Sequence, residues 1–259
     1  MIDKIISLKN PDKIIEIINK VKISTLNYGE IVFFTNGNDW YIPTLIKNLV
    51  KSMEIHEPKY KIIVFCTDSS GYEKCKDIGF EYFEFVDIPD LMISNVLSDS
   101  DASTDHYTRL CFAKTVIMKF ILDLGYTSFY IDPDMAFVKP SIDDLLSYLD
   151  KNDFVCAGQN HYVNSNIMLA KSTEDNKQLF ELPISELNRI LEDKNLHSDE
   201  DMLRPRLINK QFGCIDFYKY PPGNIAVQYK DYANMIHANY YVGLENKINL
   251  MKECNAWFI

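Results

Sequence analysis

Short runs of apolar, β-branched and aromatic residues recur between stretches of helical periodicity, and this alternation restricts the fold more than any other feature. EIVFFT (30–35), KIIVFCT (61–67) and TSFYID (127–132) read as buried strands. PDKIIEIINKVK (11–22) carries apolar positions at helical spacing behind Pro11, which suits a helix's first turn. Residues 40–53, with Pro43 near their start, and 70–78 read as helices, with a further strand near 81–86. Such alternation predicts an α/β fold with a mostly parallel sheet covered on both faces. At 259 residues, folding can bury roughly 75 % of the unfolded chain's surface, so the core needs neither metal nor disulfide support.

The rhythm breaks at 88–103, rich in Ser and Asp, which reads as a long surface loop. Ser103 or Thr104 can then cap a helix that runs through Leu124 and stops at Gly125. A helix over 141–149 and strands at 153–158 and 166–171 follow; beyond 171 the chain is more helical and is broken by Pro183, Pro205 and Pro221-Pro222. With no repeat and no linker, the expected organisation is one domain over 1–259. Within it, 1–28 is expected as an N-terminal helical extension, followed by halves at 29–140 and 141–259.

The chain has 27 Lys+Arg against 37 Asp+Glu, a net charge of −10, which argues against general affinity for nucleic acid or anionic membranes. Its six cysteines are scattered, without CxxC or Cys/His clustering, and suit small buried hydrophobes in a reducing compartment. MIDKIISLKNPDKI lacks the apolar core of a signal peptide, and no apolar run approaches the ~20 residues needed to span a bilayer. A cytoplasmic protein without a membrane span is expected.

The strongest chemical signal is FYIDPDMAFVKP (129–140), where an apolar strand runs into Asp132-Pro133-Asp134. Residues two apart in an extended chain point the same way, so both carboxylates can converge on one cation. Pro133 fixes its own φ and stiffens the pair. The plainer reading is a solvated turn that ends the strand. In the preceding helix, Leu110, Ala113, Ile117, Phe120, Ile121 and Leu124 form an apolar arc, with Lys119 and Asp123 opposite. Arg109 and Lys114 flank that arc, either snorkelling to water or reaching an anionic ligand such as a diphosphate.

His237 lies beside an apolar stretch and is either a hydrogen-bonded core residue or a third ligand, with Lys247 beyond it for phosphate. Two carboxylates and an imidazole suit Mn²⁺ better than the all-oxygen shells of Ca²⁺ or Mg²⁺. For Ser198-Asp199-Glu200-Asp201, the local sequence favours a helix cap at Ser198, with the acids complementing the helix dipole. The alternative places Asp199 or Glu200 in an active site.

In order along the chain, FFTNGN, RLCFAKTVIMKFILDLGY, IDPDMAFVKP, NSNIMLAKST, SDEDML and IHANYYVGLENKINLMKECNAWF resemble the nucleotide-diphospho-sugar transferases. The resemblance is to the glycosyltransferase family 77 group and its family 8 relatives. It implies a single GT-A (Rossmann-like) domain with a mixed, mostly parallel sheet and an irregular C-terminal third. It also implies retaining transfer of a sugar, with galactose, xylose and glucose open, from a UDP-sugar to a glycan or glycoconjugate hydroxyl.

Asp132, Asp134 and His237 match the metal ligands for Mn²⁺, with Mg²⁺ also possible. Thr35, Asn36 and Asn38 match the nucleoside-contacting exit of the first strand; Arg109, Lys114, Gly243 and Lys247 match donor-binding positions. Asn164 and Ser165 match a segment lining the sugar site, with Asn166 where glycine is usual. Glu200, beside Asp199, stands at the usual glutamine, where a carboxylate can be a nucleophile and an amide can only stabilise charge.

Two other readings compete. A HAD-type phosphatase also runs a hydrophobic strand into DxD, using the first Asp (here Asp132) as nucleophile, but Ala136 replaces the Thr or Val expected there and the motif lies mid-chain. A non-catalytic nucleotide-sugar or glycan binder on the same fold is the second. Neither GxxxxGK[ST] nor GxGxxG is present.

Overall fold

A computed structural model describes residues 3–91, 105–159, 162–193, 196, 198–208 and 210–259. In chain order its elements begin with α1 (Pro11–Val21), β1 (Ile23–Thr25), β2 (Gly29–Gly37), α2 (Lys47–His56), β3 (Ile62–Cys66), α3 (Ser69–Ile78) and β4 (Phe83–Phe85). There follow α4 (Asp105–Asp123), β5 (Thr127–Ile131), β6 (Met135–Phe137), α5 (Ile142–Ser147), β7 (Phe154–Gln159) and β8 (Tyr162–Ala170). The chain continues through α6 (Glu174–Leu179), α7 (Ile184–Glu192), α8 (Glu200–Leu207), β9 (Gly213–Cys214), α9 (Gly223–Tyr229), β10 (Met235–His237) and α10 (Leu244–Glu253). Most of the expected 88–103 loop and the Ser103/Thr104 cap lie outside the described residues.

The main sheet has eight strands in the order β4-β3-β2-β5-β8-β7-β9, with β1 paired to the start of β2. Pairings β2/β3, β2/β5, β3/β4 and β7/β9 are parallel; β1/β2, β5/β8 and β7/β8 are antiparallel. Strand alternation divides the core. Val32 and Phe34 pack with Phe112, Ile117 and the helices α1 and α6 to α8. Ile31 and Phe33 pack with Leu49, Met53 and Leu145 of α2 and α5. Helices therefore cover both faces, as the sequence pattern predicts.

Two expectations change. Segment 1–28 is more than a helical extension: α1 buries Ile14, Ile17, Ile18 and Val21 in the main core, and β1 joins the sheet through Gly29, whose φ of +69° a side chain would oppose. Helix α4 is buried from Phe112 to Met118 rather than along one arc, because it lies between the sheet and the helices α6 to α8. Its end at Gly125, φ +90°, is as expected. Among the described residues no helix is long and apolar enough to cross a membrane.

A second, two-stranded ribbon positions the site. β6 pairs antiparallel with β10, setting Met135 against His237 and Phe137 against Met235. Ala136, Ile236 and Ala238 seal it against Leu250 and Met251 of α10.

Candidate metal and donor site

A cavity of about 610 Å³ opens beyond the carboxyl ends of β2 and β5, the place where open α/β sheets take ligands. Strand β5 delivers Asp132 and Asp134, and the β6/β10 ribbon brings His237 back beside them, tied by an Ala238 N–H that donates to the Asp134 carbonyl at 2.9 Å. Nε2 of His237 lies 3.2 Å from Asp134 Oδ1 and 3.6 Å from Asp132 Oδ2. One ligand atom from each of the three falls within 4.8 Å of the others, so the cluster could hold a metal ion.

Each carboxylate has a cation beside it, half-buried Lys247 at Asp134 and buried Lys114 at Asp132. Lys247 donates to Asp134 Oδ2 and, at 3.1 Å, to the Ala238 carbonyl. Burial opposes ionisation of Asp134, but Lys247 and then His237 outweigh it and hold the carboxyl well below the usual range. Lys114 is 5 % exposed; its Nζ donates to Ser165 Oγ at 2.7 Å and sits 3.5 Å from Asp132 and 3.4 Å from Asp199. Burial alone would discharge it, yet Asp132 and Asp199 keep it protonated well above the ordinary lysine value. It therefore neither snorkels nor offers a free charge: it joins the carboxylates of two walls.

The facing wall carries Asp199 and Glu200. Asp199 is 1 % exposed, with Oδ1 accepting from Ser165 Oγ at 3.2 Å and Oδ2 buried without a hydrogen-bond partner. Burial pushes its carboxyl up to about 6, against the pull of Lys114. Glu200 Oε1 accepts from the Ser165 N–H at 3.1 Å, and burial with the neighbouring Asp199 raises its carboxyl to about 7. The expected Ser198 cap is corrected here. Helix α8 starts without a side-chain cap at Asp199, because that side chain is spent on the cavity, and Asp201 Oδ2 instead accepts from the Ser198 N–H at 3.2 Å.

Of the sequence-derived donor positions, Asn36, Lys114, Asn164, Ser165, Gly243 and Lys247 line the cavity with Asp132, Asp134, His237, Asp199 and Glu200. Asn36 Oδ1 is buried and unpartnered, as an atom awaiting a ligand would be. Three positions stand off the cavity. Thr35 is fully buried; Asn38 Oδ1 accepts from the Trp40 and Tyr41 N–H groups and so shapes the turn after β2; Arg109 donates to the Leu91 carbonyl at 3.1 Å.

Sequence reasoning missed an aromatic and thiol wall. Tyr107, Leu110 and Cys111 share the helical face of Lys114, and Trp40 and Tyr41 adjoin them. Tyr130 was readable, since it lies two residues before Asp132 on the same strand face, and its hydroxyl donates to Asp132 Oδ1 at 2.7 Å. Asn166, flagged only as a departure from glycine, approaches His237 through its amide and accepts from the Asp132 N–H through its carbonyl.

A family model described as nucleotide-diphospho-sugar transferase matches residues 60–251. A search of curated protein sequences finds no match. Among solved structures the chain is similar to the galactosyltransferase LgtC in complex with donor and acceptor sugar analogues (TM-score 0.56, 12 % identity, 88 % of this chain and 96 % of that one). It is also similar to mouse xyloside xylosyltransferase 1 (0.54, 11 %, 83 % and 99 %). A third is the glycosyltransferase GlyE of Streptococcus pneumoniae TIGR4 (0.52, 16 %, 88 % and 62 %). These likenesses concern the fold, that of GT-A glycosyltransferases. The family match spans about three-quarters of the sequence and takes in α4, the Asp132–Asp134 motif and the β6/β10 ribbon; the chain belongs to the nucleotide-diphospho-sugar transferase family.

Proposed function

We propose that this chain is a metal-dependent, retaining glycosyltransferase that moves a sugar from a UDP-sugar to a hydroxyl of a glycan or glycoconjugate. The observation that carries the reading is one cavity with a triad fit for a cation, Asp132, Asp134 and His237, on one wall and the carboxylates of Asp199 and Glu200 on another. Two oxygens and one nitrogen fit Mn²⁺ better than Mg²⁺, and the chain's own lysines already offset the carboxylates' mutual repulsion. A divalent ion held by Asp132, Asp134 and His237 would supply charge against which a departing diphosphate is stabilised. Lys247 would bind the same diphosphate, and Asn36 would meet the nucleoside at the exit of β2.

Glu200, beside the Asn164–Ser165 segment, has the environment of a carboxylate on the sugar's far face. Retention follows either from its attack on the anomeric carbon as that carbon becomes oxocarbenium-like, or from same-face attack while Glu200 stabilises charge. A solved LgtC structure carries a Gln-to-Glu change in its active site; in this chain the family resemblance sets Glu200 where glutamine is usual. The scattered, mostly buried thiols support a reducing, cytoplasmic setting. The division proposed with it is a nucleotide-binding half (29–140) and a sugar and acceptor half (141–259), with His237 and Lys247 of the second half joining the aspartates of the first.

The test is a donor screen with Mn²⁺ that reads nucleoside diphosphate release. Asp134→Ala should abolish metal-dependent release; unchanged turnover would overturn the metal assignment. Donor binding without release or transfer would favour the non-catalytic binder.

A further inference from the structure

Among the described residues that line the cavity, only Tyr240 and Val242 are exposed, Tyr240 at 65 % and Val242 at 70 %. Both belong to the turn that follows His237, and every other lining residue is buried or half-buried. They form the mouth.

This turn is held rigidly, although its side chains are free. The Ala238 N–H donates to the Asp134 carbonyl at 2.9 Å, and Asn239 Oδ1 accepts from the Gly223 N–H at 2.6 Å. Gly223 packs so closely that a Cβ there would lie 2.1 Å from the Asn239 carbonyl oxygen. On the far side Asn246 Nδ2 donates to the Val242 carbonyl at 2.7 Å, and the Lys247 N–H to the Gly243 carbonyl at 3.2 Å. Between these anchors Tyr240 adopts φ +65°, a conformation that glycine or asparagine takes readily and a bulky aromatic residue rarely does. A Tyr kept in that conformation, with most of its ring in water, has no packing role to explain it.

We propose that Tyr240 is the platform on which a pyranose ring of the acceptor stacks. A sugar's C–H face is apolar while its rim is polar, so it suits an amphipathic phenol ring at a wet edge. Location selects the acceptor over the donor. On the transferase reading the diphosphate lies against Asp132, Asp134 and His237 and the nucleoside meets Asn36, which leaves the exposed turn as the approach for an incoming hydroxyl. The inference rests on the transferase reading above.

The test uses the whole chain with Mn²⁺ and UDP, and as probes methyl β-galactopyranoside, methyl β-glucopyranoside, methyl β-xylopyranoside and lactose, titrated by saturation-transfer NMR. Tyr240→Gly, which also relieves the backbone, should fold at least as well and weaken saccharide binding about tenfold; Tyr240→Phe should restore it. UDP affinity should stay within twofold in both variants. Equal saccharide binding by wild type and Tyr240→Gly, binding of none of the probes, or a parallel loss of UDP affinity would each overturn the assignment. Failure of the wild type to bind UDP with Mn²⁺ would instead remove the transferase reading itself.

Discussion

The side-chain amide of Asn166 lies 2.6 Å from Nδ1 of His237. The backbone carbonyl of the same residue accepts from the Asp132 N–H at 2.7 Å, and its Oδ1 takes the Ile167 N–H at 2.7 Å, so one residue links two members of the triad, Asp132 through its backbone and His237 through its side chain. A ring that ligates through Nε2 carries its proton on Nδ1 and needs an acceptor there. Turning the amide about its last torsion would present its oxygen to Nδ1 at the cost of the Ile167 N–H bond. Asn166→Gly should therefore weaken Mn²⁺ binding 10- to 100-fold, read by electron paramagnetic resonance titration, with little change in secondary structure. Equal affinity would reduce Asn166 to a spacer.

Lys247 should act with opposite signs on the two ligands it adjoins. Its ammonium is bonded to Asp134 and competes with a cation for that carboxylate, yet it would attract a diphosphate. Lys247→Met should tighten Mn²⁺ binding severalfold in the absence of nucleotide and weaken UDP binding about tenfold. Calorimetry with each ligand alone separates the effects, and a loss of both would contradict the electrostatic account.

Glu200 makes stability fall as pH rises. Burial and Asp199 raise its carboxyl from 4.5 to about 7, so the folded chain binds this proton more tightly than the unfolded chain does. The resulting penalty is absent below about pH 4.5, grows through the interval and is complete above about pH 7, with a ceiling of about 3 kcal/mol. Glu200→Gln should raise the Tm at pH 8 and leave it unchanged at pH 4.5. In catalysis, near-full transfer activity of the same variant would exclude nucleophilic attack by Glu200.

Glu57 is a structural carboxylate away from the cavity. At 4 % exposure its Oε1 accepts from the Ser141 and Ile142 N–H groups, completing the start of α5 from the far end of α2. Glu57→Ala leaves two buried donors unpaired, at a cost of about 3 kcal/mol, or about 10 °C in Tm. Glu57→Gln should recover part of that loss, and Mn²⁺ affinity should be retained. A shift under 2 °C for the alanine variant would mean that water replaces the carboxylate.

What the sequence disclosed follows from the range of each interaction. Strands β2, β3 and β5, helix α4 and its glycine stop are local patterns, and they were legible. So was the Asp132-Pro133-Asp134 pair, because strand periodicity alone orients it. The β6/β10 ribbon was not: three residues at 135–137 have no pattern that marks partners at 235–237, and only pairing makes them strands. Lys114 illustrates the same limit. Its position on a wheel placed it beside the core, but whether its head met water or Asp199 depended on a helix more than eighty residues later. Arg109 and Asn38 lie off the cavity, each bonded to backbone groups that no local pattern discloses.

The ribbon also bears on how the site comes into being during synthesis. Strands β2, β3, β5, β7 and β8 are complete by residue 170, whereas His237 and Lys247 arrive much later in the chain. A nascent polypeptide that has emerged only to residue 230 can assemble most of the parallel sheet yet holds two aspartates with no imidazole against them and no lysine against Asp134. Pairing across about a hundred residues must wait for that distant segment, at the loop-closure cost that makes non-local strands slow to form. Assembly of the proposed metal site and burial of the Asp134 charge are thereby deferred to the last steps of folding, and a fragment cut ahead of β10 would be a nearly complete scaffold without a complete triad.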